Sequence, residues 1–128
     1  WPMMGEGLFP TIMWEPTLGW RNWVENPAIV QFAHRTGAYA LLLVVIAHAI
    51  SCWRWAPGST HARRAATLLA LVVGQALVGI VTLVMEVPLS WALVHQGLAF
   101  FVLAFAVAHW RAMVGPIPLL DGRPHRHA

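Results

Sequence analysis

Lysine is absent from the sequence, aspartate and tyrosine each occur once, and the only cysteine is Cys52. A lone cysteine excludes an intrachain disulfide, a CxxC redox pair and a thiolate metal cluster, so cofactor ligands have to come from other residue types. Charged residues make up only 10% of the chain while 59% is hydrophobic, against roughly 45–50% apolar in an average soluble domain. That balance excludes a disordered chain or an ordinary secreted protein, and the length fits one domain. All eight basic residues are arginines, with a formal net charge of +3, and they are split between short segments instead of forming one stripe. Nucleic acid is therefore not an expected partner. The eight tryptophans and the apolar runs point to a lipid membrane as the solvent.

Three apolar stretches, Ala28 to Trp53, Ala65 to Met85 and Pro88 to Trp110, are each long enough to cross the hydrocarbon layer as a helix of about 20 residues. The expected fold class is all-α, an integral membrane helical bundle with three transmembrane helices. The expected division is a loop segment over 1–27 outside the membrane, a three-helix transmembrane module over 28–112 and a tail over 113–128. The N-terminus lacks the basic region of a signal peptide and an initiator Met, as expected of a chain that starts within a longer protein. Arg54, Arg63, Arg64, Arg111, Arg123 and Arg126 fall on one side of the spans, and Glu6, Glu15, Glu25 and Glu86 on the other. Because cytoplasmic loops retain arginine, the N-terminus is expected outside and the C-terminus inside. Trp20, Trp23 and Trp91 then mark the outer interface, and Trp53, Trp55 and Trp110 the inner one. Ala66, Ala70 and Gly74 repeat at four-residue spacing, which reads as a close-packing face, and Gln75 as a polar group needing an interhelical partner.

Four histidines lie inside the spans, where an ionisable side chain is costly and marks function. His34 on the first span and His95 on the third match in depth, roughly 10 Å below the outer surface at 1.5 Å per residue. His48 and His109 follow fourteen residues later on the same two helices, at nearly the same rotation. Two imidazoles at equal depth on parallel helices suit a haem iron, which takes one axial nitrogen from each face of the porphyrin. The pattern admits one haem or two. The inner pair has the weaker case, because His109 adjoins Trp110 and Arg111 at the membrane boundary, where a wet histidine costs little. Gly37 and Gly97 leave room for a macrocycle, and Arg35 is either a partner for a propionate or a snorkelling anchor. His61, His125 and His127 read as solvated, and zinc is not expected in the spans because no Cys, Asp or Glu joins their histidines. On these residues alone the chain is a b-type electron-transfer cytochrome or a helper bundle without cofactor.

The run from Glu25 to Arg35 (ENPAIVQFAHR), preceded by Trp1-Pro2-Met3-Met4-Gly5-Glu6 and Pro10, resembles the second, C-terminal half of the haem A synthase family. Gln75 to Leu83 (QALVGIVTL) and Val94-His95-Gln96-Gly97-Leu98-Ala99 resemble the family's next two signatures. The resemblance implies part of a four-helix half of an eight-helix inner-membrane enzyme, located in the bacterial plasma membrane or, in a eukaryote, the mitochondrial inner membrane. It implies oxidation of a haem O methyl group to the formyl group of haem A for cytochrome oxidase. It also implies a haem b held by His34 and His95, with the catalytic carboxylate in an N-terminal half. The equivalent position here is Gln31, which is not a general base. Implied partners are haem O, the membrane and the N-terminal half or a homologous chain, with haem O synthase and a homo-oligomer as further candidates. The alternative remains a stand-alone b-type cytochrome.

Overall fold

The computed structural model describes Met4, Gly7, Phe9 and residues 13–115; the tail residues Arg123, His125, Arg126 and His127 and the N-terminal Trp1, Pro2, Met3, Gly5, Glu6 and Pro10 lie outside them. A 3-10 turn, Pro16–Arg21, leads into a four-residue helix α1 (Asn22–Glu25) and then into α2 (Pro27–Trp55), α3 (Thr60–Val84) and α4 (Leu89–Val114). The described residues contain no strand, and they hold three helices long and apolar enough to cross a membrane. The expected all-α bundle is therefore the observed one.

The helix ends follow from local chemistry. Asn26 caps α2, its Oδ1 accepting from the amides of Ala28 at 3.0 Å and Ile29 at 3.4 Å, while Pro27 occupies the first turn where its missing N–H costs nothing. Ser59 caps α3 by accepting from the Ala62 amide at 3.1 Å, so this helix starts five residues before the apolar run at Ala65. Arg63 and Arg64 consequently belong to the first turns of α3 and not to a loop, and Arg64 Nη2 donates to the Ala108 carbonyl of α4 at 3.0 Å. Between α3 and α4 the chain reverses through Glu86 (φ 61°) and Val87 (φ 59°), both in the left-handed region. For β-branched Val87 that is strained, and the Val87 amide bond to the Thr82 carbonyl at 2.9 Å helps to hold it.

Asn22 has no solvent exposure, and its amide group is fully used. Its Nδ2 donates to the carbonyls of Glu15 and Gly19, both at 2.8 Å, and its Oδ1 accepts from the Glu15 amide and from Asn26 Nδ2, both at 2.9 Å. This node ties the segment before the membrane to the cap of α2, two turns ahead of His34. Replacing Asn22 with Leu strands several buried polar groups at once, at about 1–3 kcal/mol for each group left unsatisfied. Hydrogen exchange is expected to accelerate at the amides of Glu15 and of residues 22–29, with α3 unchanged.

α3 is the central element. It packs on both α2 and α4, whereas no Cα of α2 comes within 8 Å of one in α4. One core cluster joins Val45 of α2 to Leu68 and Val72 of α3, with Val102, Phe105 and Ala106 of α4 against it. A second joins Cys52 to Ala62 and Ala65. The close-packing face is thus Ala62, Ala65, Leu68 and Val72, not the expected row: Ala66 and Ala70 are exposed, and a Cβ on Gly74 would meet nothing within 4 Å. Both rows are helical, but the four-residue row points away from α2 and α4. Large apolar side chains such as Leu43, Val44, Phe100 and Phe101 face outward, which is unfavourable in water and suits a surface solvated by lipid.

Candidate functional site: two histidine pairs between the outer helices

His34 and His48 sit on α2, His95 and His109 on α4, and both pairs span the same sequence offset of 61 residues. Because α2 and α4 run in the same direction on either side of α3, a constant offset means a constant register. Each histidine of α2 therefore meets its expected counterpart on α4, at two levels of the bundle.

The two levels differ in geometry. The rings of His34 and His95 have centroids 6.3 Å apart and are inclined at 74°. An imidazole nitrogen ligates a metal at about 2 Å and its ring centre lies roughly 1 Å further back, so rings on opposite sides of one iron have centres about 6 Å apart. The His34–His95 spacing matches that separation. At the other level, His48 Nε2 and His109 Nε2 are 2.8 Å apart, a direct hydrogen bond, with centroids at 5.1 Å. Two nitrogens that close cannot lie on opposite faces of one porphyrin, which needs about 4 Å between them.

α3 positions His95 and the turn before it through three residues. Gln75 donates from Nε2 to the His95 carbonyl at 2.9 Å, supplying the interhelical partner that a mid-membrane amide needs. Gly79 lies against the imidazole itself: a Cβ built there would stand 2.8 Å from His95 Cε1 and 3.3 Å from Nδ1. Thr82 adds a third link, its hydroxyl donating to Val78 O at 2.8 Å and to Trp91 O at 3.3 Å, one turn before His95. His95 Nδ1 is buried with no hydrogen-bond partner, whereas His34 is exposed. Arg35 and Gln31 are half-buried on α2 beside His34. A Cβ on Gly37 or Gly97 would find open space within 4 Å. Spacing, the unsatisfied nitrogen of His95 and the open surroundings of both glycines fit a haem held between the two rings. At the same end of α2, an apolar cleft of about 410 Å³ is lined by Met13, Trp14, Trp23, Ile29, Phe32 and Thr36.

Two expectations for the inner level are overturned. His109 is only 2% exposed, so it is not a wet boundary residue despite adjoining Trp110 and Arg111. Cys52 does join the histidines: one turn after His48, its Sγ lies 3.7 Å from His48 Nε2, and the ligand atoms of His48, Cys52 and His109 all lie within 4.8 Å of one another. The four-residue spacing of His48 and Cys52 carried that information in the sequence, since residues i and i+4 share a helix face. Gly79 had no comparable signal, because its role depends on which helix faces His95. His61 is exposed, as expected for a solvated residue, and lines a cavity of about 310 Å³ beside Cys52 and Met113.

Residues 1–107 match the family model COX15-CtaA, described as cytochrome oxidase assembly protein. A protein of Sinorhizobium medicae named heme A synthase is 50% identical over 118 residues, covering 92% of this chain and 32% of the relative. Proteins of the same name from Brucella ovis and Brucella abortus are 51% identical over 115 residues, covering 90% of this chain and 32% of each relative. The chain thus spans about a third of the length of the curated relatives it matches. No solved structure matches it. With the family model covering most of its length, the chain belongs to the COX15-CtaA family of cytochrome oxidase assembly proteins.

Proposed function

We propose that this chain is the haem-holding part of a haem A synthase, with His34 and His95 as the axial ligands of one haem b near the outer membrane surface. The observation that carries the proposal is the 6.3 Å separation of the two rings between helices whose backbones do not touch. The relatives' shared name, heme A synthase, supplies the product, the family description supplies the link to cytochrome oxidase assembly, and the sequence resemblance supplies haem O as the substrate. A haem held by these two imidazoles would supply one-electron transfer. The chain's own residues bind and orient: Gln75 fixes the backbone of His95, Gly79 limits its ring, and Arg35, next in sequence to His34, is the proposed partner of a propionate at the outer edge.

The carboxylate that starts the oxidation belongs, in this proposal, to a homologous half outside these residues, with Gln31 at the corresponding position here. A stand-alone cytochrome with one haem at each histidine level is disfavoured by the 2.8 Å contact between His48 and His109. Haem extracted from cells that make haem O but lack their own synthase tests the division of labour. The intact protein is expected to yield haem A and the 128 residues alone to yield none. Haem A from the 128 residues alone would move the oxidising site to Gln31, Arg35 and Glu25.

The proposed orientation places residues 1–27 outside, the α2–α3 connection inside and the tail over 113–128 in the cytoplasm, or in the matrix of a mitochondrion. In a Cys52→Ser background, an impermeant thiol reagent added to intact cells is expected to label Glu86→Cys and to spare Pro57→Cys. The opposite pattern would invert the topology. Both positions are exposed turn residues, so labelling reports the side of the membrane and not burial.

A further inference from the structure

The inner histidine level is not explained by a haem between the outer pair. His48, Cys52 and His109 converge there from two helices, with Nε2 to Nε2 at 2.8 Å, Sγ to His48 Nε2 at 3.7 Å and every ligand atom within 4.8 Å of the others. Two imidazole nitrogens and one thiolate around a tetrahedral ion, with metal–nitrogen bonds near 2.0 Å and the metal–sulfur bond near 2.3 Å, lie about 3.3–3.5 Å apart. The observed spacings bracket that range, so a cation enters when the two imidazoles part by about half an ångström. Cys52 and His109 are buried, and the Nδ1 of His109 has no partner. On one side lies the cavity of about 310 Å³ that His61 and Met113 also line, which gives a route for an ion and further donors for a fourth position.

We propose that His48, Cys52 and His109 form a binding site for one thiophilic d10 cation, Zn²⁺ or Cu⁺, at the opposite end of the bundle from His34 and His95. The donor set selects the class: thiolate and imidazole favour these ions, and the absence of carboxylate among the three argues against Mg²⁺ or Ca²⁺. Helix α3 holds the thiol in place, since Cys52 packs on Ala62 and Ala65, residues small enough to bring the α2 backbone close. The site is independent of the haem at the outer level, as it shares none of its residues.

The test uses the intact, detergent-purified protein, stripped with a chelator and titrated separately with Zn²⁺ and with Cu⁺ under reducing conditions. Metal analysis is expected to find one equivalent of Zn²⁺ or Cu⁺ beyond haem iron, lost in Cys52→Ser and in His109→Gln and retained in His34→Ala. Co²⁺, used as a spectroscopic probe, is expected to give a thiolate charge-transfer band that Cys52→Ser abolishes. The unchanged haem content of the Cys52→Ser protein controls for folding. No stoichiometric binding, retention of the equivalent in Cys52→Ser, or a second haem lost on replacing His48 or His109 would each overturn the proposal.

Discussion

Replacing either His34 or His95 with alanine is expected to reduce haem in the purified protein from one per chain to nearly none, with the helical content retained. In the proposed arrangement each ring supplies one of two axial bonds, and among the described residues the cysteine and the remaining span histidines lie fourteen or more residues deeper, out of reach to take over. The two variants have different structural side effects. His34 is exposed on α2, so His34→Ala removes a ligand with little loss of packing. His95 contacts Gly79 of α3, so His95→Ala also opens a small void beside that glycine. Equal loss of haem in both, measured by pyridine haemochrome against protein, therefore reports ligation and not packing. His48→Ala is expected to keep the haem.

The second large effect is expected from a residue that bears no functional group. At Gly79 a methyl group would sit 2.8 Å from His95 Cε1, well inside contact distance, so Gly79→Ala forces the imidazole to rotate or the helices to part. Gly79→Leu forces a larger displacement. Overpacking of this kind costs about 1–3 kcal/mol, equivalent to a loss of roughly 5–150-fold in haem affinity. The Leu variant is expected at the upper end of that range. Gly74→Ala is the control, since a Cβ there meets nothing within 4 Å and that face of α3 points away from α2 and α4. A weakened haem in all three variants would show a general sensitivity of these helices to added volume, whereas the close approach of Gly79 to His95 predicts the effect at Gly79 and none at Gly74.

Much of this architecture was legible because membrane helices write their limits in plain chemistry. The span expected at Ala28 to Trp53 falls inside α2, and that at Pro88 to Trp110 starts one residue before α4; both observed helices run past the expected C-terminal ends by four residues or fewer. The misplaced boundary was the start of α3, where Ser59 and the arginine-bearing first turns precede any apolar residue pattern. Pairing of the histidines was legible for the same reason: two parallel helices with a fixed offset bring matched depths together whatever the details of packing. Faces were harder to assign. The row of Ala66, Ala70 and Gly74 looked like an interface because small residues permit close approach, yet permission does not choose a partner, and Ala62 and Ala65 took that role. Cys52 reads as a solitary thiol in the sequence, yet only neighbours in space decide whether a cysteine is solitary, and His48 and His109 stand beside it.

Diffraction from crystals of the intact protein at the iron absorption edge is the most direct measurement. Within this chain, one iron peak is expected between the rings of His34 and His95, about 2 Å from a nitrogen of each, and none between His48 and His109. An iron peak at the inner level, or a haem in the protein with no peak between His34 and His95, would contradict the assignment of the outer pair as its ligands.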